Sequence, residues 1–137
     1  AVQLNKSRPK KIFVYIYTDW CGDSKRMERS TLINEQVTEY LAANFYPVKL
    51  NAEQKANIQF NGYTYKYIAY SNGRGGHEFV KALGTTSYPT TVYFNEKVEW
   101  ITTIKGNSES PVLLKQLKFS AEEQYKKMTW EQYNAKY

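Results

Sequence analysis

The chain holds one cysteine, Cys21, within the segment Trp20-Cys21-Gly22-Asp23-Ser24-Lys25. What a lone thiol can do depends on where the chain places it. The preceding run, Ile12-Phe13-Val14-Tyr15-Ile16-Tyr17, is continuous, apolar and β-favouring, the pattern of a strand covered on both faces. Thr18 to Ser24 reads as a loop entering a helix. Cys21 therefore stands at a helix start, where main-chain N–H groups lack partners and the helix dipole is positive. A sulfur at such a point can be held as thiolate, the nucleophile of disulfide exchange. Lys25 and Arg26 add positive charge there, and Asp19 and Asp23 oppose it. Ser24, about one helical turn on, is placed to donate a hydrogen bond to the thiolate but cannot form a disulfide.

The elements that must position this segment follow from the pattern. One helix is expected from Gly22 to about Arg29. A second is expected from an Asn34 N-cap to about Asn44, with Val37, Tyr40, Leu41 and Phe45 at helical spacing. Phe45 to Leu50 reads as the next strand, so the unit is a right-handed parallel crossover. Ile58-Gln59-Phe60 and Tyr63-Thr64-Tyr65 flank Asn61-Gly62, a strong hairpin signal because both turn residues need positive φ. Ser71 to Gly76 is expected as a glycine-rich loop and His77 to Leu83 as a short helix ending at Gly84. Thr90 to Phe94 and Val98 to Ile104 form an antiparallel hairpin across Asn95-Glu96-Lys97. Ser108 to Phe119 reads as an amphipathic helix. Ser120-Ala121-Glu122-Glu123 and Thr129-Trp130-Glu131-Gln132 both read as capping boxes that open further helical segments.

At these residues the chain resembles the thioredoxin superfamily over nearly its whole length. Trp20-Cys21-Gly22-Asp23-Ser24-Lys25 is similar to that family's Trp-Cys-Gly-Pro-Cys-Lys segment, with Asp for Pro and Ser for the second Cys. Val48-Lys49-Leu50-Asn51 resembles its second core strand, and Ser87-Tyr88-Pro89-Thr90 resembles the loop whose cis-proline faces the active site. Gly106 falls where the family has a glycine bordering the substrate groove. The resemblance implies an α/β thioredoxin fold, a central mixed sheet flanked by helices. It would form one domain over 1–137, with an insert at about 54–76 and a helical tail at about 120–137. It also implies a site made of Cys21 and Ser24, with Trp20, Gly22, Asp23, Tyr88 and Pro89 meeting substrate. Two departures matter: Tyr15 stands where the family keeps a buried acid, and Ser24 replaces the resolving cysteine. The details around Thr18-Asp19-Trp20, the insert and the tail are more similar to exported bacterial members, so a periplasmic or otherwise exported location is expected. The start at Ala1 fits a mature protein with its export signal removed, or simply a trimmed chain.

Composition sets the bounds. At 137 residues, 42% hydrophobic and 23% charged, the chain suits one globular core. Thirteen Tyr, six Phe and three Trp argue against disorder. The net charge of +6 is spread along the chain, with no groove-reading motif, so nucleic acid is not an expected partner. No apolar stretch reaches the ~20 residues of a membrane helix. One cysteine excludes a disulfide framework and a cysteine-rich metal site, and no cofactor is expected. Gly73-Arg74-Gly75-Gly76 lacks the strand, spacing and Lys-Ser/Thr of a phosphate loop. His77 reads as a surface or capping residue and the tyrosines at 58–70 as packing.

The function expected is monothiol exchange, with mixed disulfides to protein or small-molecule disulfides and an external thiol reductant to release them. The alternative is a redox-inactive module that holds a partner peptide in the same groove.

Overall fold

The computed structural model describes residues 7–69, 75–85 and 87–137. The apolar run forms β1 (Lys11–Tyr17), which lies in the interior of a four-stranded sheet ordered β2-β1-β7-β8. β1 pairs parallel with β2 (Phe45–Asn51), in a register that sets Val14 beside Val48. It pairs antiparallel with β7 (Thr90–Phe94), setting Val14 beside Val92. The sheet is completed by β8 (Trp100–Lys105), antiparallel to β7.

The two faces of β1 feed two cores because side chains alternate along a strand. Ile12, Val14 and Ile16 pack with Leu50, Phe79, Val80, Val92 and Phe94 on one face. Phe13 and Tyr15 pack with Met27, Val37, Leu41, Phe45, Tyr93, Leu113 and Leu117 on the other. The second face is covered by α1 (Gly22–Arg29), α2 (Glu35–Asn44) and α4 (Ser110–Ala121). Asn34 caps α2 through Oδ1, which accepts from the Val37 N–H at 3.2 Å.

The first face is covered by the insert and by α3 (Glu78–Ala82). Asn61 and Gly62 have φ of 51° and 81°, the turn expected from Asn-Gly, and join β3 (Ile58–Phe60) to β4 (Tyr63–Tyr65). Phe60 stacks against Phe79 and Phe94, with ring centroids 5.2 and 5.6 Å away, and Tyr65 lies 5.1 Å from Phe79. These aromatics therefore pack on the core, whereas Tyr63 stays exposed.

Four expectations need correction. Gly75-Gly76 is not loop: with His77 it forms β6 (Gly75–His77), antiparallel to β5 (Tyr67–Ala69). The Tyr67 ring and the Ile68 carbonyl crowd Gly75 so closely that a Cβ there would collide with both. The rest of the expected loop, 71–74, lies outside the described residues, as do residues 1–6. His77 is the N-cap of α3, the capping role read from the sequence, but it is buried and not at the surface: its Nδ1 accepts from the Phe79 N–H at 3.1 Å, and its Nε2 lies 2.9 Å from the Ala56 carbonyl. Val98 is not in a strand, because its φ of 61° places it in the β7–β8 turn. Ser120-Ala121 ends α4 instead of capping a new helix, and Glu123 at φ 58° breaks the chain into a short 3-10 turn, Gln124–Lys126.

The second capping box is present. Thr129 Oγ1 accepts from the Gln132 N–H and Gln132 Oε1 from the Thr129 N–H, opening α5 (Trp130–Lys136). The tail is pinned by Phe119, whose ring meets Tyr125, Trp130 and Tyr133 at 6.3, 5.7 and 5.2 Å. Lys11, with its side chain 5% exposed, reaches Glu96 at 2.9 Å and Glu123 at 3.5 Å. One buried ammonium thus ties β1, the β7–β8 turn and the start of the tail together.

Candidate active site

β1 ends at Tyr17 and the chain turns through Thr18 to Trp20. The Cys21 N–H returns to the Thr18 carbonyl at 3.4 Å, and the Cys21 carbonyl accepts the first helical bond, from the Lys25 N–H, at 3.2 Å. Cys21 is the N-cap residue of α1, with extended φ and ψ of −81° and 117°, and its side chain does not cap the helix. The sulfur instead points across to the β7 loop, where the thiol donates to the Tyr88 carbonyl at 3.3 Å. It is half-buried.

The Tyr88–Pro89 peptide bond is cis. Its loop is fixed from both sides: Thr90 Oγ1 donates to the Ser87 carbonyl at 2.7 Å, and the Gly106 N–H donates to the Pro89 carbonyl at 2.8 Å. Gly106 makes that contact with φ +90°, a conformation that favours glycine. Pro89 is buried and Tyr88 half-buried. Cys21 and the Tyr88-Pro89 turn, 67 positions apart, thus meet at one point.

Trp20 projects beside them, 66% exposed, with its ring edge-on to Tyr88 at 6.1 Å. Its Nε1 donates to Glu53 Oε1 at 3.1 Å. Glu53 is brought there by a latch between two loops. The Ala52 N–H donates to the Tyr17 carbonyl at 2.8 Å, Asn51 Nδ2 donates to Asp19 Oδ2 at 3.3 Å, and Asn51 Oδ1 accepts from the Glu53 N–H at 2.9 Å. Burial, and then the nearby Glu53 carboxylate, push the Tyr88 phenol above its ordinary pKa.

Gly22 opens α1 at an exposed position with open space around it. Asp23, in the first turn, pairs with Arg26. One acid and one base of the four charges read from the sequence thus pair with each other, while Asp19 accepts from Asn51.

Ser24 departs from expectation. Its side chain faces inward and is fully buried, and Oγ has no hydrogen-bond partner, so the expected bond to Cys21 is not made. Thr18 Oγ1 is likewise buried without a partner. Beneath them Tyr15, which the resemblance sets at the family's buried-acid position, donates its phenol to the Ser24 carbonyl at 2.9 Å. Burial, and then the Glu28 carboxylate, raise the Tyr15 pKa well beyond the ordinary phenol range, so the group stays protonated. Tyr15 also stacks on Tyr17 at 5.8 Å, and Lys49 sits 4.6 Å above the Tyr17 ring while pairing with Glu28.

Sequence reasoning missed a cavity of about 820 Å³ beside this site. It is lined by Trp20 and Tyr88, by Tyr63, Tyr65 and Ile68 of the insert, and by Thr85 and residues of α3. Aromatic richness in the insert was the one signal available; that Glu53 joins Trp20 across 33 positions had none. Among the described residues there is no cluster of His, Cys, Asp and Glu able to hold a metal, and no helix long and apolar enough to cross a membrane.

The comparisons with known proteins agree with this fold. No curated protein sequence matches the chain. A thioredoxin-fold protein from Helicobacter pylori superposes with TM-score 0.73 at 16% identity, over 93% of this chain and 80% of that one. A thioredoxin from Thermus thermophilus superposes with TM-score 0.63 at 17% identity, over 86% and 78%. A proposed disulphide-isomerase from Bacteroides thetaiotaomicron superposes with TM-score 0.63 at 25% identity, over 89% and 85%. The thioredoxin-like domain family matches residues 1–121. Because that match takes in every element from β1 to α4, the chain belongs to the thioredoxin-like domain family.

Proposed function

We propose that the protein is a monothiol exchange protein that acts through Cys21. The observation that carries this reading is the position of one half-buried sulfur at the start of α1, 3.3 Å from the carbonyl of Tyr88, beside Pro89. An incoming disulfide meets the thiolate there, and the exposed Trp20 and the Tyr88-Pro89 turn line its approach.

One sulfur fixes the stoichiometry. The Cys21 thiolate attacks one sulfur of a substrate disulfide, a new S–S bond forms to Cys21, and the second substrate sulfur leaves as thiolate with the electron pair. One disulfide has been exchanged for another, with no net reduction. Ser24 supplies no second thiol, so an external thiolate must attack the mixed disulfide to free Cys21. The cycle is redox-neutral when that thiolate comes from the same substrate, which is isomerisation. It is reductive when two external thiols are consumed. The family names among similar structures, a proposed disulphide-isomerase included, support this class. We place the protein in an exported compartment, on the resemblance of the loop around Trp20, the insert and the tail to exported members.

The test is mass spectrometry after incubation with an excess of a disulfide-bonded peptide. One adduct per chain is expected, released by added thiol and absent in Cys21→Ser. No adduct on the folded protein, where the unfolded chain forms one, overturns the reading. A second reading, a redox-inactive peptide-binding module, is favoured by the aromatic-lined cavity next to Trp20 and Tyr88. It predicts that partner binding survives Cys21→Ser intact.

A further inference from the structure

The cavity lined by Trp20 and Tyr88, the residues that flank Cys21, has a wall of definite chemistry. Trp20, Tyr63 and Ile68 present exposed apolar surface at 66%, 56% and 43%. Among the described residues, the charged groups that line the same space are the carboxylates of Glu53 and Glu78 and the ammonium of Lys81. Both carboxylates are anchored rather than swinging in solvent. Glu53 Oε1 accepts from the Trp20 indole at 3.1 Å, and Glu78 Oε1 accepts from the Lys66 main-chain N–H at 2.8 Å. A carboxylate holds about four lone-pair sites, so each keeps acceptor capacity toward the cavity. This acidic wall stands on a chain whose net charge is +6.

We propose that the cavity selects the substrate: a peptide carrying a basic side chain next to its disulfide-bonded cysteine, in preference to acidic peptides and to glutathione. The proposal rests on Cys21 as the exchanging thiol. A lysine or arginine lays its apolar stem along the aromatic rings and brings its charge to Glu53 and Glu78. Glutathione carries two carboxylates and one ammonium and meets the same wall with net repulsion. The basic residue is thus held on the Trp20 side while the neighbouring sulfur lies against Cys21, which raises the effective concentration of the disulfide.

The experiment uses the full-length protein and four probes, each a mixed disulfide with the chromogenic thiol 2-nitro-5-thiobenzoate. The probes are three peptides of equal length with cysteine flanked by lysine, alanine or glutamate, and glutathione. Attack by Cys21 on the peptide sulfur forms the Cys21–peptide disulfide, breaks the probe's S–S bond and releases one coloured thiolate. The lysine peptide is expected to react about tenfold faster than the glutamate peptide or glutathione at low salt, a ratio that shrinks as salt screens the charges. Glu53→Gln and Glu78→Gln each reduce that ratio about threefold. Glu131→Gln, which makes the same change in net charge on the tail helix, leaves it in place. A lysine-to-glutamate ratio near one, a reversed ratio, or a ratio unmoved by both cavity variants overturns the proposal while exchange at Cys21 stands. Release from none of the four probes overturns the exchange reading itself.

Discussion

The phenol of Tyr15 donates a hydrogen bond to the main-chain carbonyl of Ser24 at 2.9 Å, joining the interior strand of the sheet to the first turn of α1. A family position associated with a proton-accepting acid is here occupied by a donor that burial keeps protonated. Tyr15→Phe removes the bond without emptying the site. Stability is expected to fall by about 1 kcal/mol in denaturant unfolding. The pH profile of exchange at Cys21 keeps its shape across the neutral range, because no proton leaves Tyr15 there. A profile that changes shape would show the phenol to be a proton carrier.

Ser24 offers a paired test. Its buried hydroxyl has no partner, so Ser24→Ala removes a desolvated polar group and not a bond. Unfolding free energy is expected to stay level or rise by up to about 1 kcal/mol, and the rate of adduct formation at Cys21 to change by less than about twofold. Ser24→Cys restores a second thiol one turn from Cys21. The mixed disulfide then resolves internally, and its lifetime is expected to drop at least about a hundredfold, because an intramolecular thiol acts at high effective concentration. Intact-mass time courses measure both effects.

Alkaline pH should destabilise the fold through its buried phenols. The Tyr93 pKa is raised well beyond the ordinary range by burial, and that of Tyr15 by burial and Glu28. A folded pKa above the unfolded one means that the contribution is complete below the unfolded value of about 10 and is lost as pH climbs above it. The urea midpoint is expected to hold level to that point and then fall. Tyr93→Phe, which keeps the ring packing with Phe13 and Phe45, should flatten the fall.

Phe119 is the anchor of the tail. It is 1% exposed and carries the ring contacts of Tyr125, Trp130 and Tyr133. Phe119→Ala is expected to cost about 3–5 kcal/mol. It should also open the segment after Ala121 to limited proteolysis while Cys21, on the opposite end of β1, still forms its adduct. Cleavage patterns identical to the parent protein would contradict the anchoring role.

Local rules reached far into this chain, and where they stopped is instructive. β1 was readable because a strand buried on both faces needs apolar residues throughout. The hairpin was readable because Asn61 and Gly62 tolerate the φ values the turn demands. β6 was not, since glycines usually weaken strands; here Gly75 is required by the Tyr67 ring lying against it. Ser120 matched a capping pattern, yet its burial in the last turn of α4 decided otherwise. At the site, the meeting of Cys21 with Pro89 followed from the family resemblance. The inward turn of Ser24 and the tether from Trp20 to Glu53 depend on packing between distant segments, which spacing does not encode.

The order of strands in the sheet carries a cost during synthesis. β1 precedes its antiparallel partner β7, which begins only at Thr90. Until the ribosome has delivered that stretch, Lys-Ile-Phe-Val-Tyr-Ile-Tyr has one free edge, and such β-prone apolar segments pair readily with strangers.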